Sequence, residues 1–290
     1  MPRSIDQGFT DFLQKLTPSS AESQASQTHR ASISACLKNN FGLNRFVRIG
    51  SFGNATSVSG YSDVDYLASL PREQLTQVST STLAKVRNAL DIRFPNTGVH
   101  VNCPAVAVPF GTARSETTEI VAADYMGDAY GYNIYDIADC AGGWMKASPD
   151  AHNAYVASID GKLGNKVKRL IRFIKAWKYF RSVPISSFYL ELRVAKYATG
   201  ESAILYDVDV KRVLRMLADA QLANMQDPMG VSGYIAACKS DASKEDALSK
   251  LETAATRAEN ACGASGKGNI TDAFDWWRLL YNNEFPSYYY

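Results

Sequence analysis

The stretch Gly50-Ser51-Phe52-Gly53-Asn54-Ala55-Thr56-Ser57-Val58-Ser59-Gly60-Tyr61-Ser62-Asp63-Val64-Asp65 decides the reading of this chain. It grows out of Arg45-Phe46-Val47-Arg48-Ile49, an alternating β-branched run, and leads into Asp63-Val64-Asp65-Tyr66-Leu67-Ala68, which alternates again. The pattern is strand, polar loop, strand. A Gly-Ser at a strand end lets the backbone approach an anion closely, and free N–H groups with the Ser51 hydroxyl can bind phosphate oxygens. Asp63 and Asp65 alternate with Val64 and so point to one face of the second strand, where paired carboxylates hold hard cations such as Mg2+. Two such ions can activate an attacking hydroxyl and stabilise a leaving pyrophosphate. Asp-x-Asp alone is commonly an exposed turn, so context carries the reading: the pair opens an apolar strand and closely follows a Gly-Ser that ends another.

A site of this kind calls for a third carboxylate on a neighbouring strand. Thr118-Glu119-Ile120-Val121-Ala122-Ala123 supplies Glu119, with Glu116 and Asp124 as rivals. Further out, Ile5–Leu16 and the stretch after Pro18 read as helices, Arg72–Arg93 fits a helix approximately, and Val99–Phe110 reads as strand. Residues 40–125 are thus expected to form a mixed sheet with a helix. Beyond Asp150 the apolar positions recur at helical spacing, as in Val167, Leu170, Ile171 and Ile174, and the expected architecture is α+β with a mainly α-helical second lobe. We place the division between residues 1–145 and 146–290. The ending Phe285-Pro286-Ser287-Tyr288-Tyr289-Tyr290 keeps no helical period and is expected to be an exposed or loosely packed tail.

Composition narrows the function. With 46% hydrophobic and 21% charged residues in 290, the chain can bury a sizeable core and is not a disordered one. Thirty-one Lys plus Arg against 29 Asp plus Glu leave a net charge of +2, too little to draw the protein onto long nucleic acid, so phosphate binding must be local. The local candidate is Lys162–Arg181, where basic residues fall with no acid between them, and where Lys168, Arg172 and Lys175 line one helical stripe. Cys36, Cys103, Cys140, Cys238 and Cys262 are odd in number and widely spaced, which suggests free thiols in a reducing cytoplasm, with Cys103 beside Pro104 as a buried small side chain. No signal-peptide core or membrane span is apparent. His29, His100 and His152 show no paired ligand spacing, and Trp177, Trp276 and Trp277 read as core.

Taken together, these residues resemble the nucleotidyltransferase superfamily that includes DNA polymerase beta, and specifically the cGAS/DncV-like nucleotidyltransferases of bacterial anti-phage (CBASS) signalling. Leu170-Ile171-Arg172-Phe173-Ile174-Lys175-Ala176-Trp177-Lys178 and Val183-Pro184-Ile185-Ser186-Ser187-Phe188-Tyr189-Leu190-Glu191 look like that family's lysine helix and serine-bearing helix. Asp227-Pro228, Trp276-Trp277 and Phe285-Pro286 are similar to its later landmarks, and the resemblance spans about residues 40–286. It implies that Asp63, Asp65 and Glu119 bind two Mg2+ ions, or Mn2+, and that Gly50 and Ser51 hold a donor triphosphate. It further implies that Lys175 and Ser187 contact those phosphates and that Phe188 stacks on the donor base. The third acid is commonly Asp in this family, so Glu119 is a departure.

The activity implied is synthesis of a cyclic di- or trinucleotide messenger from nucleoside triphosphates, with ATP and GTP expected as substrates. A downstream effector and machinery that modifies the C-terminus are the implied partners. Two other readings compete: a linear transferase acting on RNA, a small molecule or a protein, and a nucleotide-binding protein without turnover.

Overall fold

Alternating apolar residues lay out a mixed sheet in the computed structural model, which describes residues 4–111 and 116–289. Met1–Arg3 and Tyr290 lie outside the described residues. Strand β1 (Arg45–Arg48) pairs antiparallel with β2 (Val64–Ser69), and β2 pairs parallel with β5 (Glu116–Ala129). On the far side of β5 stand β4 (Ala105–Phe110) and β3 (His100–Asn102), both antiparallel. The outer half of β5 turns back through β6 (Tyr132–Ala138) to β7 (Trp144–Ala147).

The period of two sorts the strand residues. Val64, Tyr66 and Ala68 of β2, Val106 and Val108 of β4 and Ile120 and Ala122 of β5 face two helices, α2 (Ser20–Phe41) and α4 (Ser79–Arg93), and bury with Leu37, Leu83, Val86 and Leu90. The residues between them, Asp65 and Glu119 included, turn to the opposite face. One face is therefore spent on the core, and the other is left for chemistry.

Strands β6 and β7 extend the sheet beyond what the sequence suggested. Their signal is the pair Tyr130 and Gly131, both with positive φ (55° and 79°), which makes the two-residue turn that matches strand twist. The expected strand over Val99–Phe110 is a hairpin broken at Cys103-Pro104, since proline has no N–H for the ladder.

The second half is helical: α5 (Pro149–Lys162), α6 (Val167–Phe180), α7 (Ser187–Ala198), α8 (Tyr206–Asp219), α9 (Asp241–Gly266) and α10 (Ile270–Leu280). A small hairpin, β8 (Met225–Gln226) with β9 (Tyr234–Ile235), interrupts them. Side chains set the starts: Ser148 accepts from the Ala151 N–H ahead of a proline at the head of α5, and Ser186 accepts from the Tyr189 N–H at α7. Helix α1 (Ile5–Leu16) packs here rather than on the sheet, because its stripe of Phe9 and Phe12 meets Phe173, Trp277 and Tyr281 in an aromatic cluster. The chain's first helix thus sits in the core of the lobe expected from residue 146 onward.

Two expectations need correction. The tail is not loose, because Phe285 is 2% exposed and fills the same aromatic cluster against Phe9 and Phe12, while Tyr288 packs on Phe274. The cysteines are not all free: Cys103 and Cys140 form a disulfide with Cα atoms 5.7 Å apart, tying the β3–β4 turn to the β6–β7 connection, while Cys36, Cys238 and Cys262 stay reduced. Sequence spacing could not show this pairing, because only the folded sheet brings the two turns together. Among the described residues no helix is long and apolar enough to cross a membrane.

The disulfide closes a loop with a sequence separation of 37, which on chain entropy corresponds to about 3–4 kcal/mol. Chemical unfolding with and without a phosphine reductant is expected to show a loss of about 2–4 kcal/mol on reduction, and Cys103→Ser should remove the response to reductant.

Candidate active site

Parallel pairing sets Asp65 opposite Glu119, so the two carboxyls leave the same face side by side, with Asp63 at the mouth of β2. Protein packed around Asp63 pushes its carboxyl up to about 6, Glu119 adds to the rise, and Lys178 opposes it. Asp65 is raised further, first by burial, then by Glu119 and Asp63, with Lys175 behind it giving partial relief. Glu119 also hydrogen-bonds Asp65 and accepts from Asn102 Nδ2 at 2.6 Å. Asp124 is drawn away by Arg72 at 3.0 Å, and the side chain of Glu116 lies outside the described residues.

The Gly-Ser of the opening stretch forms a single turn, α3 (Gly50–Gly53), between β1 and the loop. Gly50 has φ +59°, and a Cβ there would overlap the Asp65 carboxylate, so glycine is required for the acid to occupy its place. Ser51 lies in this turn beside Asp65's strand, 8% exposed.

The loop that follows is clamped to the helices. Arg172 donates from Nε to the Ser57 carbonyl (2.8 Å), from Nη2 to the Ala55 carbonyl (3.0 Å) and from Nη1 to Thr17 Oγ1 (3.1 Å). Glu191 of α7 accepts from Thr56 Oγ1 (2.6 Å), Asn54 Nδ2 (3.0 Å) and Lys175 Nζ (2.7 Å). Burial alone would raise the Glu191 carboxyl, but Lys175 and these hydrogen bonds hold it below the usual range.

This network corrects the expected role of Lys175. Its side chain is 0% exposed and committed to Glu191, so it reaches the site only through its field on Asp65. The ammonium group that meets Ser187 is one turn further on: Lys178 Nζ donates to Ser187 Oγ at 2.6 Å. Burial pushes Lys178 down to about 8, and Lys175 adds to the fall, while Glu191 and Asp63 oppose it. Nor is the stripe Lys168, Arg172, Lys175 a solvated positive face, because carbonyls and Glu191 take up Arg172 and Lys175 in the interior.

Phe188 keeps 40% of its surface, as an aromatic platform needs, with its ring edge against His152 at 4.9 Å. His152 bonds through Nε2 to Asp227 Oδ2 at 2.9 Å. Burial would raise Asp227, but His152 and the Ser232 and Met229 N–H groups overcome it, holding the acid ionised at the centre of a loop. Sequence reading missed Asn102, Arg172's clamp, Lys178, Glu191 and this His152–Asp227 pair. Of these, Arg172, Lys178, Glu191 and Asp227 stand in stretches that the sequence singles out, but their partners are distant in the chain, and Asn102 carries no local signal.

The carboxylate set fits divalent cations in its chemistry: hard oxygens crowded together, repelling one another, with ionisation disfavoured until a positive charge arrives. Among the described residues no three acidic, His or Cys side chains close on one point as a preformed cage. One Glu119 oxygen is instead held toward Asn102.

Residues 3–159 match the Second Messenger Oligonucleotide or Dinucleotide Synthetase domain. The chain belongs to this family. A probable cyclic nucleotide synthase of Bacillus cereus is 26% identical over 235 residues, 78% of this chain and 69% of that protein. Among solved structures, DncV of Vibrio cholerae, a cyclic AMP-GMP synthase, superposes with a TM-score of 0.78 at 14% identity over 99% of this chain and 97% of that one. CdnC of E. coli MS115-1 gives 0.74 at 16% identity over 97% and 98%. The second messenger synthetase fold described above is thus the nucleotidyltransferase fold of cyclic dinucleotide synthases, and this family member is a nucleotidyltransferase of the cyclic nucleotide synthase class.

Two substitutions are expected to act in opposite directions on stability. Asp63 ionises near 3.8 when unfolded and at about 6 when folded, so its charge disfavours the metal-free fold increasingly as pH rises from about 4 to above 6. Asp63→Asn should therefore raise the thermal midpoint at pH 8 and leave it nearly unchanged at pH 4, in calorimetry without divalent cations. Glu191→Ala leaves Lys175 buried without its partner and should cost about 3–5 kcal/mol in chemical unfolding.

Proposed function

We propose that this synthetase joins purine nucleoside triphosphates, ATP and GTP, into a cyclic di- or trinucleotide and releases pyrophosphate at each step. The observation that carries the proposal is the meeting of the Asp63–Asp65–Glu119 cluster with the Lys178–Ser187 pair, carboxylates from the sheet facing an ammonium and a hydroxyl from the helices. Asp63, Asp65 and Glu119 hold divalent cations, Mg2+ or Mn2+, which supply Lewis-acid activation of a hydroxyl and neutralise charge on the leaving pyrophosphate.

The remaining work belongs to the chain. Ser51 and the Gly50 backbone bind donor phosphate oxygens, and Ser187 and Lys178 bind them from the other side. Lys178 is poised for this role, because burial makes its charge unfavourable and an anionic triphosphate restores it. Phe188 offers the donor base a stacking surface worth about 1–3 kcal/mol. A ribose hydroxyl of the acceptor then gives its proton to a carboxylate of the cluster and forms a bond to the donor α-phosphorus as the bond to the pyrophosphate oxygen breaks. A further transfer, after the linear intermediate turns round in the pocket, closes the ring, the second for a dinucleotide and the third for a trinucleotide. DncV has been solved with a linear intermediate, 5' pppA(3',5')pG, and CdnC with ATP, which supports triphosphates as substrates here. On this reading the product acts on an effector in anti-phage defence, and the reaction draws on the nucleoside triphosphate pool of the cytoplasm.

Purified protein incubated with radiolabelled ATP, GTP, CTP and UTP and Mg2+, followed by phosphatase, is expected to give a phosphatase-resistant product. Asp63→Ala and Asp65→Ala should abolish it, and Lys178→Ala should raise KM for the donor about 10-fold or more, as the loss of a charge-assisted hydrogen bond requires. A product that phosphatase trims of its terminal phosphates while its phosphodiester bonds remain would establish a linear transferase instead, and nucleotide affinity without any product a binding protein.

A further inference from the structure

The second conspicuous contact of the acid cluster comes from a strand that is not adjacent to it. Asn102 Nδ2 donates to Glu119 Oε1 at 2.6 Å, although β4 runs between β3 and β5. Register explains how the two side chains meet. Asn102 stands opposite Ala105, and Glu119 stands opposite Ala107, which in turn faces His100. With a period of two, Asn102, Ala105, Ala107, Glu119 and Asp65 all leave the same face. Both residues on the intervening strand are alanine, so only methyl groups separate Asn102 from Glu119, and the two longer side chains close over them. An aspartate at 119 would be one methylene shorter and would have to choose between Asn102 and Asp65.

The backbone that carries Asn102 is itself held firmly. Asn102 pairs with Ala105 across the two-residue turn Cys103-Pro104, and the disulfide from Cys103 to Cys140 fastens that turn to the β6–β7 connection. The amide is thus presented from a fixed point, while Glu119 without it would have rotamer freedom at the mouth of the site.

We propose that Asn102 is a positioning residue for the third carboxylate: it fixes one oxygen of Glu119, leaves the other to work with Asp63 and Asp65, and makes glutamate the required length at 119. This rests on the reading of the three acids as the divalent-cation site. Outer partners that orient a metal ligand typically account for 10–100-fold in metal affinity. An exposed side chain such as Asn102, by contrast, contributes little to folding through one surface contact.

The test is Mn2+ binding to the full-length protein without nucleotide, read from the electron paramagnetic resonance signal of free Mn2+, alongside thermal unfolding. Asn102→Ala and the near-isosteric Asn102→Leu, neither of which keeps the amide donor, are expected to weaken Mn2+ binding about 10-fold or more, with the metal-free midpoint shifted by no more than about 2 °C for Asn102→Ala. Glu119→Asp should weaken binding in the parent and add little further in an Asn102→Ala background, because the two changes break one arrangement. Equal Mn2+ titrations of parent and Asn102→Ala, or fully additive effects in the double variant, would overturn the positioning role while leaving the cation site intact. A parent that binds no Mn2+ while Asp63→Ala behaves identically would overturn the cation-site reading itself, and the positioning role with it.

Discussion

Lys175 and Glu191 share a buried ion pair, and much of the site's geometry depends on it. Taking both charges out of water is costly unless every remaining donor and acceptor is met. Here Thr56 and Asn54 complete the carboxylate, so the loop between the Gly-Ser turn and Asp63 cannot slide along α6 and α7 without stranding a charge. Arg172 repeats the logic with neutral acceptors, giving the carbonyls of Ala55 and Ser57 the donors that a buried irregular backbone requires. An apolar pair of the same volume could match the ion pair in stability. It would take the acceptor from the Asn54 amide, leave Thr56 only the Ser51 carbonyl, and lose the registration of the sheet lobe on the helical one. The distance between the acids and Ser187 is therefore set by groups that never need to touch a nucleotide.

On top of that frame the acids themselves work against the fold. Asp63 and Asp65 are raised because burial and their neighbours disfavour charge, and the nearest cations only partly offset this. The same crowding is what makes a divalent ion or an anionic ligand with its counter-ions welcome, so local instability and binding capacity are one property seen in two states. Lys178 shows the mirror image: a cation disfavoured by burial and by Lys175, waiting on negative charge.

How much of this could be read from the chain depends on how local each determinant is. That Asp65 and Glu119 stand on one face of neighbouring strands was legible because strand alternation is written within a few residues of each. The helical second half followed from its period, and the core aromatics Trp177 and Trp277 from their type. Lys175 was legible as a lysine on the right helix but not as a buried one, since burial depends on Glu191 and Thr56, distant in sequence. Lys178 lies on the next turn of the same face, and only the folded position of Ser187 distinguishes the two. Strands β6 and β7, the docking of Phe285, the disulfide and the lodging of α1 among the late helices share that character, each being a pairing between segments far apart in the chain.

Small residues decide where the large charged ones can stand. Gly50 has no Cβ, and the Asp65 carboxylate occupies the space a Cβ would take. Ala105 and Ala107 lie between Asn102 and Glu119 with nothing but methyl groups, and the polar contact passes over them. In both places the chemistry depends on what the sequence omits. A search for acids, lysines and serines finds the candidate groups but not the vacancies beside them, and yet it is those vacancies that let the carboxylates approach one another so closely. The length of the acid at 119 and the size of the residue at 107 are thus one variable, the span to be bridged across β4, and a change in either alters the reach of the third carboxylate toward Asp65.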